Sequence, residues 1–202
     1  MLYLSGAVHS EIGRLMRPDL GVMISPNMGQ LPFRGLPWAY DNGAFSGRFE
    51  HDRWHRWLER CELYRADCLF VVAPDVVGDA RATWERSEPY LPLIRSMGYS
   101  AALVAQDGLA EPIEWDAFDC LFVGGTTAFK LSETAYALVR EAKRRGKWTH
   151  MGRVNGWQRF KAAAVSGYDS ADGTKIAFGP DYNLPIVLGW LDRVNGQMVM
   201  TA

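Results

Sequence analysis

Eight short apolar runs, each closing on a polar or glycine-bearing turn, constrain what this chain can fold into more than any other feature of it. They are Leu2–Leu4, Gly21–Ile24, Trp38–Tyr40, Cys68–Ala73, Ser100–Ala105, Cys120–Val123, Trp148–Met151 and Tyr168–Ala171. At three to six residues they have the length of strands rather than helices. The stretches between them carry a helical period. In Asp52–Arg65, the residues Trp54, Trp57, Leu58, Cys61 and Tyr64 form one apolar face, with Arg53, Arg56 and Arg60 on the other side. A second helix is predicted from Gly78 towards Ser96, broken before Pro89 and Pro92. A third, Ser132–Arg145, opens on a Ser132-Glu133 cap and closes on Lys143-Arg144-Arg145-Gly146, and a fourth runs from Gly156 to Ser166.

Strands alternating with helices pair in parallel through right-handed crossovers. Eight such units predict an α/β chain closed into a compact (β/α)8 TIM-like barrel. With 202 residues the chain lies at the lower end of that fold's length range, so several crossovers must be abbreviated. An open doubly wound sheet is the rival. No linker, low-complexity stretch or internal repeat divides the chain, so residues 1–202 read as a single domain.

A composition of 48% hydrophobic and 22% charged residues excludes a disordered, collagen-like or coiled-coil chain. No apolar run approaches 18 residues, and the start lacks the basic and apolar regions of a signal peptide, so the expectation is a cytoplasmic protein with no membrane partner. A net charge of −1 gives no overall field that would draw the chain to polyanions, so any nucleic-acid contact needs a local basic face. Cys61, Cys68 and Cys120 are odd in number and form no C-x-x-C pair, and His9, His51, His55 and His150 form no H-E-x-x-H. Neither a disulfide framework nor a metal is expected, and no cofactor.

In a barrel the strand ends converge on one C-terminal mouth, where barrel enzymes keep their chemistry. The runs here end in Ser5-Gly6, Ser25-Pro26-Asn27, Asp41-Asn42-Gly43, Asp75, Gln106-Asp107, Gly124-Gly125-Thr126-Thr127, Gly152-Arg153 and Asp172-Gly173. Asp41, beside Trp38-Ala39-Tyr40, is either turn chemistry or a half-buried carboxylate of raised pKa suited to proton transfer. Asp75 caps a helix or accepts hydrogen bonds from the N–H edge of a purine-like base. The amide of Gln106 needs partners for donor and acceptor alike, and Gly124-Gly125 is either a turn or a place where bare backbone meets a ligand. Of Asp169 and Asp172, three apart, only one can face the mouth, and the later one is the better candidate for a nucleophile. No phosphate-binding glycine loop is present.

In their order these motifs resemble those of the tRNA-guanine transglycosylase superfamily, which are (β/α)8 barrels. Asp41-Asn42-Gly43-Ala44-Phe45 resembles that family's Asp-Ser-Gly-Gly-Phe, and Pro74-Asp75 its base-binding Asp segment. Val104-Ala105-Gln106-Asp107-Gly108 is similar to Val-Gln-Gly-Gly, and Val123-Gly124-Gly125-Thr126 to Val-Gly-Gly-Leu. His150-Met151-Gly152-Arg153-Val154 resembles Leu-Met-Gly-Val-Gly, and Gly167-Tyr168-Asp169-Ser170-Ala171-Asp172 matches the spacing of Gly-Val-Asp-Met-Phe-Asp. The family's Cys-x-Cys-x-x-Cys zinc segment is missing, which brings the chain nearer to short enzymes that exchange guanine in DNA for a 7-deazaguanine derivative.

The resemblance implies a pentosyltransferase with Asp172 as covalent nucleophile and Asp41 as general acid/base. It implies that Asp75, Gln106, Gly124, Gly125, Thr126 and Met151 bind the base. The partners it implies are DNA, or tRNA, and a free 7-deazaguanine base, with room for a homodimer. Phosphate contacts are expected from Arg48, Arg153 and Lys175. A queuine-type tRNA enzyme, a nucleoside or glycoside hydrolase using the same carboxylates, and a catalytically silent binding subunit are the alternatives. The C-terminal segment from Asp181, with Trp190 and Leu191, either closes the barrel or forms a partner surface.

Overall fold

A computed structural model describes residues 1–6, 10–47, 49–109 and 113–200. Its eight strands are β1 (Leu2–Ser5), β2 (Leu20–Ile24), β3 (Trp38–Tyr40), β4 (Cys68–Val72), β5 (Ala101–Ala105), β6 (Cys120–Val123), β7 (Trp148–Met151) and β8 (Ser170–Gly173). All pair in parallel in chain order, and β8 returns to β1, so the sheet is a closed barrel and not an open doubly wound one. The helices are α1 (Ser10–Leu15), α2 (His51–Arg60), α3 (Ala80–Ser87), α4 (Tyr90–Ser96), α5 (Thr127–Lys130), α6 (Glu133–Arg144), α7 (Trp157–Val165) and α8 (Pro180–Met200).

The crossovers are abbreviated where the chain is shortest. No helix lies between β2 and β3, and α1 has six residues. The expected second helix is two, α3 and α4, with Pro89 at the N-cap of α4 and Pro92 in its first turn, where a missing N–H costs nothing. The expected Asp52–Arg65 helix ends at Arg60, and the chain continues as a 3-10 turn over Glu62–Asp67. At α6 both ends follow their local chemistry. Ser132 Oγ accepts from the Ala135 N–H at 3.2 Å, and Gly146, at φ 70°, lets the Lys147 N–H reach the Ala142 carbonyl at 2.9 Å.

Strand alternation sorts the side chains into two cores. Leu4, Met23, Ala39, Phe70, Val72, Ala102, Val104 and Cys120 fill the barrel interior, while Tyr3, Val22, Trp38, Tyr40, Val71 and Leu103 face the helices. Strand β8 lies two residues later than the sequence predicts, paired with β1 as far as Ser5 and Gly173, with Asp169 just below it. Its carboxylate accepts from the backbone and hydroxyl of Thr149 and pairs with Lys143. The shift puts Asp172 inside the strand, in register with the inward-facing Leu4.

Helix α8 completes the outer layer beside β1. Trp190 packs against Tyr3, Phe160 and Trp157, Leu191 is buried, and Asn195 hydrogen-bonds both Met1 and Asp19. The C-terminal segment therefore closes the barrel's own core. Trp190→Ala is expected to cost about 3–5 kcal/mol in urea unfolding. A loss below about 1 kcal/mol, the usual size of a surface effect, would show that α8 is not part of that core.

Candidate functional site

The C-terminal ends of the strands surround a cavity of about 460 Å³ lined by Asp41, Asn42, Asp75, Gln106, Gly124, Gly125, Gly152, Arg153 and Asp172, with Met23, Val72, Val104 and Phe122 among its apolar walls. Two glycines make room for it. A Cβ on Gly124 would lie 2.7 Å from Val104 and 3.3 Å from the Gln106 amide nitrogen, and one on Gly152 would lie 2.6 Å from Phe122. Any side chain at either position would collide with the cavity wall.

Asp172 is held from behind by a chain of hydrogen bonds that runs through the barrel interior. Trp148 Nε1 donates to Ser170 Oγ at 2.9 Å, Ser170 Oγ meets His150 Nδ1 at 2.8 Å, and His150 Nε2 meets Asp172 Oδ1 at 2.9 Å. An indole nitrogen only donates and an ionised carboxylate only accepts. The Ser170 hydroxyl is therefore free to donate to Nδ1, and the Nε2–H of His150 donates to Asp172. The imidazole is fully buried between Phe70 and Phe122, with ring centroids 5.0 and 4.6 Å away. The Arg153 backbone N–H gives Asp172 Oδ1 a second donor at 3.1 Å. This turn is fixed by Lys130, whose buried ammonium donates to the Gly152 carbonyl at 2.9 Å. Burial, and then the charges of Arg153 and Arg159, pull the Lys130 pKa down to about 8 against the opposing pull of Asp172 and Asp107.

Across the cavity, Asp75 is fixed by two side-chain amides. Asn42 Nδ2 donates to Oδ1 at 2.9 Å, and Gln106 Nε2 to Oδ2 at 2.6 Å. Gln106 Oε1 is occupied by the Gly78 N–H, which sets the orientation of the amide. Each Asp75 oxygen keeps lone-pair capacity beyond these bonds. Asp41 follows β3 in an Asx turn with Gly43, and its pKa is pushed up to about 6, first by desolvation and then by the negative charge of Asp172. The sequence anticipates the burial. The second carboxylate's share becomes visible only once both strand ends are placed.

The other candidates separate. Gly124, Gly125 and Arg153 line the cavity. Thr126 is exposed at the N-cap of α5, where its backbone N–H and hydroxyl donate to Asp107. Met151 is buried in the outer core, one residue out of phase with the inward-facing His150. Lys175 lies over the ring of Trp190 at 5.7 Å and does not line the cavity, and Arg48 lies outside the described residues. Asn42, Lys130, His150 and Ser170 support the site without having been singled out. For His150 and Ser170 a signal was available, since each stands two residues before an inward-facing strand end, Gly152 and Asp172.

Among the described residues no group of three or more His, Cys, Asp or Glu side chains is arranged to hold a metal ion. None of their helices is long and apolar enough to cross a membrane.

The chain matches no known protein family and no curated protein. Similar solved structures include the PaMucR phosphodiesterase in complex with c-di-GMP, at 13% identity and a TM-score of 0.43, over 78% of this chain and 61% of that one. They also include the EAL enzyme Bd1971 in a cGMP-bound form, at 9% and 0.44, over 77% and 39%. A third is the Bacillus subtilis YkuI protein, with an EAL domain, in complex with c-di-GMP and calcium, at 16% and 0.40, over 81% and 39%. The chain thus spans less than two thirds of each of these proteins.

These findings correct the resemblance to the transglycosylase superfamily: no family matches, and the three similar structures named above are a phosphodiesterase and two EAL proteins, none of them a transglycosylase. Base exchange on DNA or tRNA, pentosyl transfer, the 7-deazaguanine partner and the hydrolase alternative on the same carboxylates are withdrawn with it. The physical reason is that Asp, Asn, Gly and Pro at strand ends are the turn chemistry of any barrel mouth, so six short matches in order record the fold. At these identities and superpositions, the similar structures assign no activity to this chain.

The geometry also sets a pH dependence of stability. Asp41 keeps its proton up to about pH 6 when folded, against 3.8 for an unperturbed aspartate, so ionising it in place disfavours the folded state as pH rises between those values. Asp41→Asn is expected to raise stability at pH 7.5 by about 1–2 kcal/mol and to leave it unchanged at pH 3.5. Urea unfolding at the two pH values checks this, and equal stability of both proteins at pH 7.5 would contradict the coupling.

Proposed function

We propose that this barrel mouth is the active site of an enzyme that binds a planar nitrogen heterocycle with adjacent N–H groups, such as guanine, and moves a proton on it. The observation that carries this reading is the pairing, in one cavity, of a fixed acceptor with a carboxylate poised to change protonation. Asp75 cannot turn away from an N–H edge, because Asn42 and Gln106 hold both its oxygens. Preorganised acceptors of this kind bind donors without paying to reorient. The walls of Met23, Val72, Val104 and Phe122 suit the faces of a flat ring.

Asp41 then acts as the proton carrier. Above about pH 6 it is ionised and can accept a proton from the bound ring or from an attached hydroxyl, and below that pH it can return one. Asp172, with Oδ1 held by His150 and by the Arg153 N–H, is a fixed negative charge that offsets positive charge developing on the ligand. Gly124 and Gly125 let the ring approach the backbone between Gln106 and Arg153. A reducing, cytoplasmic setting belongs to the same reading, supported by the free thiols Cys61, Cys68 and Cys120, and so does a single unit over residues 1–202, supported by the one closed barrel.

Calorimetry with guanosine and adenosine tests it. Guanosine offers two adjacent N–H donors and is expected to bind at least tenfold more tightly than adenosine. Asp75→Asn should weaken guanosine tenfold to a hundredfold, since a charge-assisted hydrogen bond contributes about 1.5–3 kcal/mol. Equal affinity for the two nucleosides, or no effect of Asp75→Asn, would overturn the reading.

A further inference from the structure

Arg153 combines features that packing alone does not explain. It is one of two non-glycine residues with positive φ among the described residues, at 57°. Such a conformation persists only where the surroundings impose it, and it gathers at ligand sites. Here it lets one residue do two things. The backbone N–H reaches Asp172, while the side chain runs along the rim to donate from Nη2 to the Gly125 carbonyl at 2.9 Å. The guanidinium carbon also lies 4.3 Å from the ring centroid of Phe45, which is 63% exposed. Phe45 follows β3 and Arg153 follows β7, strands on opposite sides of an eight-membered ring, so the pair spans the mouth.

An exposed cation–π contact is weak, and among the described residues no carboxylate pairs with this guanidinium, although three line the same cavity. Of its five N–H donors one is used by a carbonyl, which leaves an edge of the planar fork open. An arginine so placed is suited to bidentate recognition of an oxyanion.

We infer that Arg153 is the anion-recognition residue of the mouth, and that the ligand is a heterocycle bearing a phosphate group. The inference rests on the reading of Asp75 as the heterocycle's acceptor. The base would lie against β4 and β5, where Asp75 and Gln106 are held, and the phosphate at the rim between β7 and β3, where the guanidinium exchanges its contact with Phe45 for the anion. Three carboxylates would repel a phosphate elsewhere in the cavity, so the anion has one favourable place.

Calorimetry with guanosine, guanosine 5′-monophosphate and inorganic pyrophosphate on the wild type, Arg153→Gln and Arg153→Lys tests it. The monophosphate is expected to bind the wild type at least tenfold more tightly than guanosine. Arg153→Gln should bring the two ligands to equal affinity, and Arg153→Lys should keep part of the difference. Equal binding of the two ligands by the wild type, or equal weakening of both by Arg153→Gln, would overturn the inference. So would a thermal midpoint for Arg153→Gln several degrees below the wild type, which would make the residue structural. Failure of the Asp75 reading shows itself separately, as guanosine binding that is absent or indifferent to Asp75→Asn. Pyrophosphate then decides alone: binding lost in Arg153→Gln upholds the anion site, and binding unaffected by the substitution, or absent from the wild type, overturns it.

Discussion

Closing a ring of strands only three to five residues long is the constraint on which the rest of this structure depends. A strand rises about 3.3 Å per residue, so the interior has room for only about two layers of side chains. One position on each strand decides between apolar filling and the mouth. On β4, β5 and β6 the filling is Phe70, Val72, Ala102, Val104 and Cys120. On β7 and β8 it is polar, and His150 and Ser170 occupy the places that apolar residues hold elsewhere. Burying an imidazole and a hydroxyl is costly unless both are satisfied, and the bonds from Trp148 to Asp172 satisfy them. The polar half of the core thus doubles as the mount of a mouth carboxylate.

Charge then organises the mouth. Three carboxylates share one cavity, and they are kept distinct by what touches them. Asp172 has two N–H donors on one oxygen, Asp75 has a side-chain amide on each, and Asp41 has the Gly43 N–H at 3.3 Å. Asp41 is pushed towards neutrality by its burial and then by the negative charge of Asp172. Lys130 and Arg153 brace the turn beside Asp172, the first by donating to the Gly152 carbonyl and the second by donating its backbone N–H to the carboxylate.

The barrel was legible because its cues are local. Run length, amphipathic period, the Ser132 cap and the brevity of the stretch between β2 and β3 each act within a few residues. The convergence of strand ends on one mouth followed from the fold class. What was not legible depends on register between strands. The two-residue displacement of β8 lies in its register with β1 and β7, and Met151 faces outward because His150 faces in. The chain from Trp148 to Asp172 exists only once β7 and β8 are aligned. The likeness to transglycosylases failed for a related reason: its motifs were read along the chain, and turn residues at strand ends repeat wherever a barrel needs them.

The proposed role of Asp41 as a proton carrier depends on its coupling to Asp172, and carbon-13 NMR of the aspartate side-chain carboxyls tests that coupling directly. In the wild type, the Asp41 resonance should titrate with a midpoint near 6, and in Asp172→Asn the midpoint should fall towards the ordinary aspartate value near 3.9 without returning fully to it, because desolvation remains. A midpoint near 4 in the wild type, or one near 6 that Asp172→Asn leaves unmoved, would contradict the account.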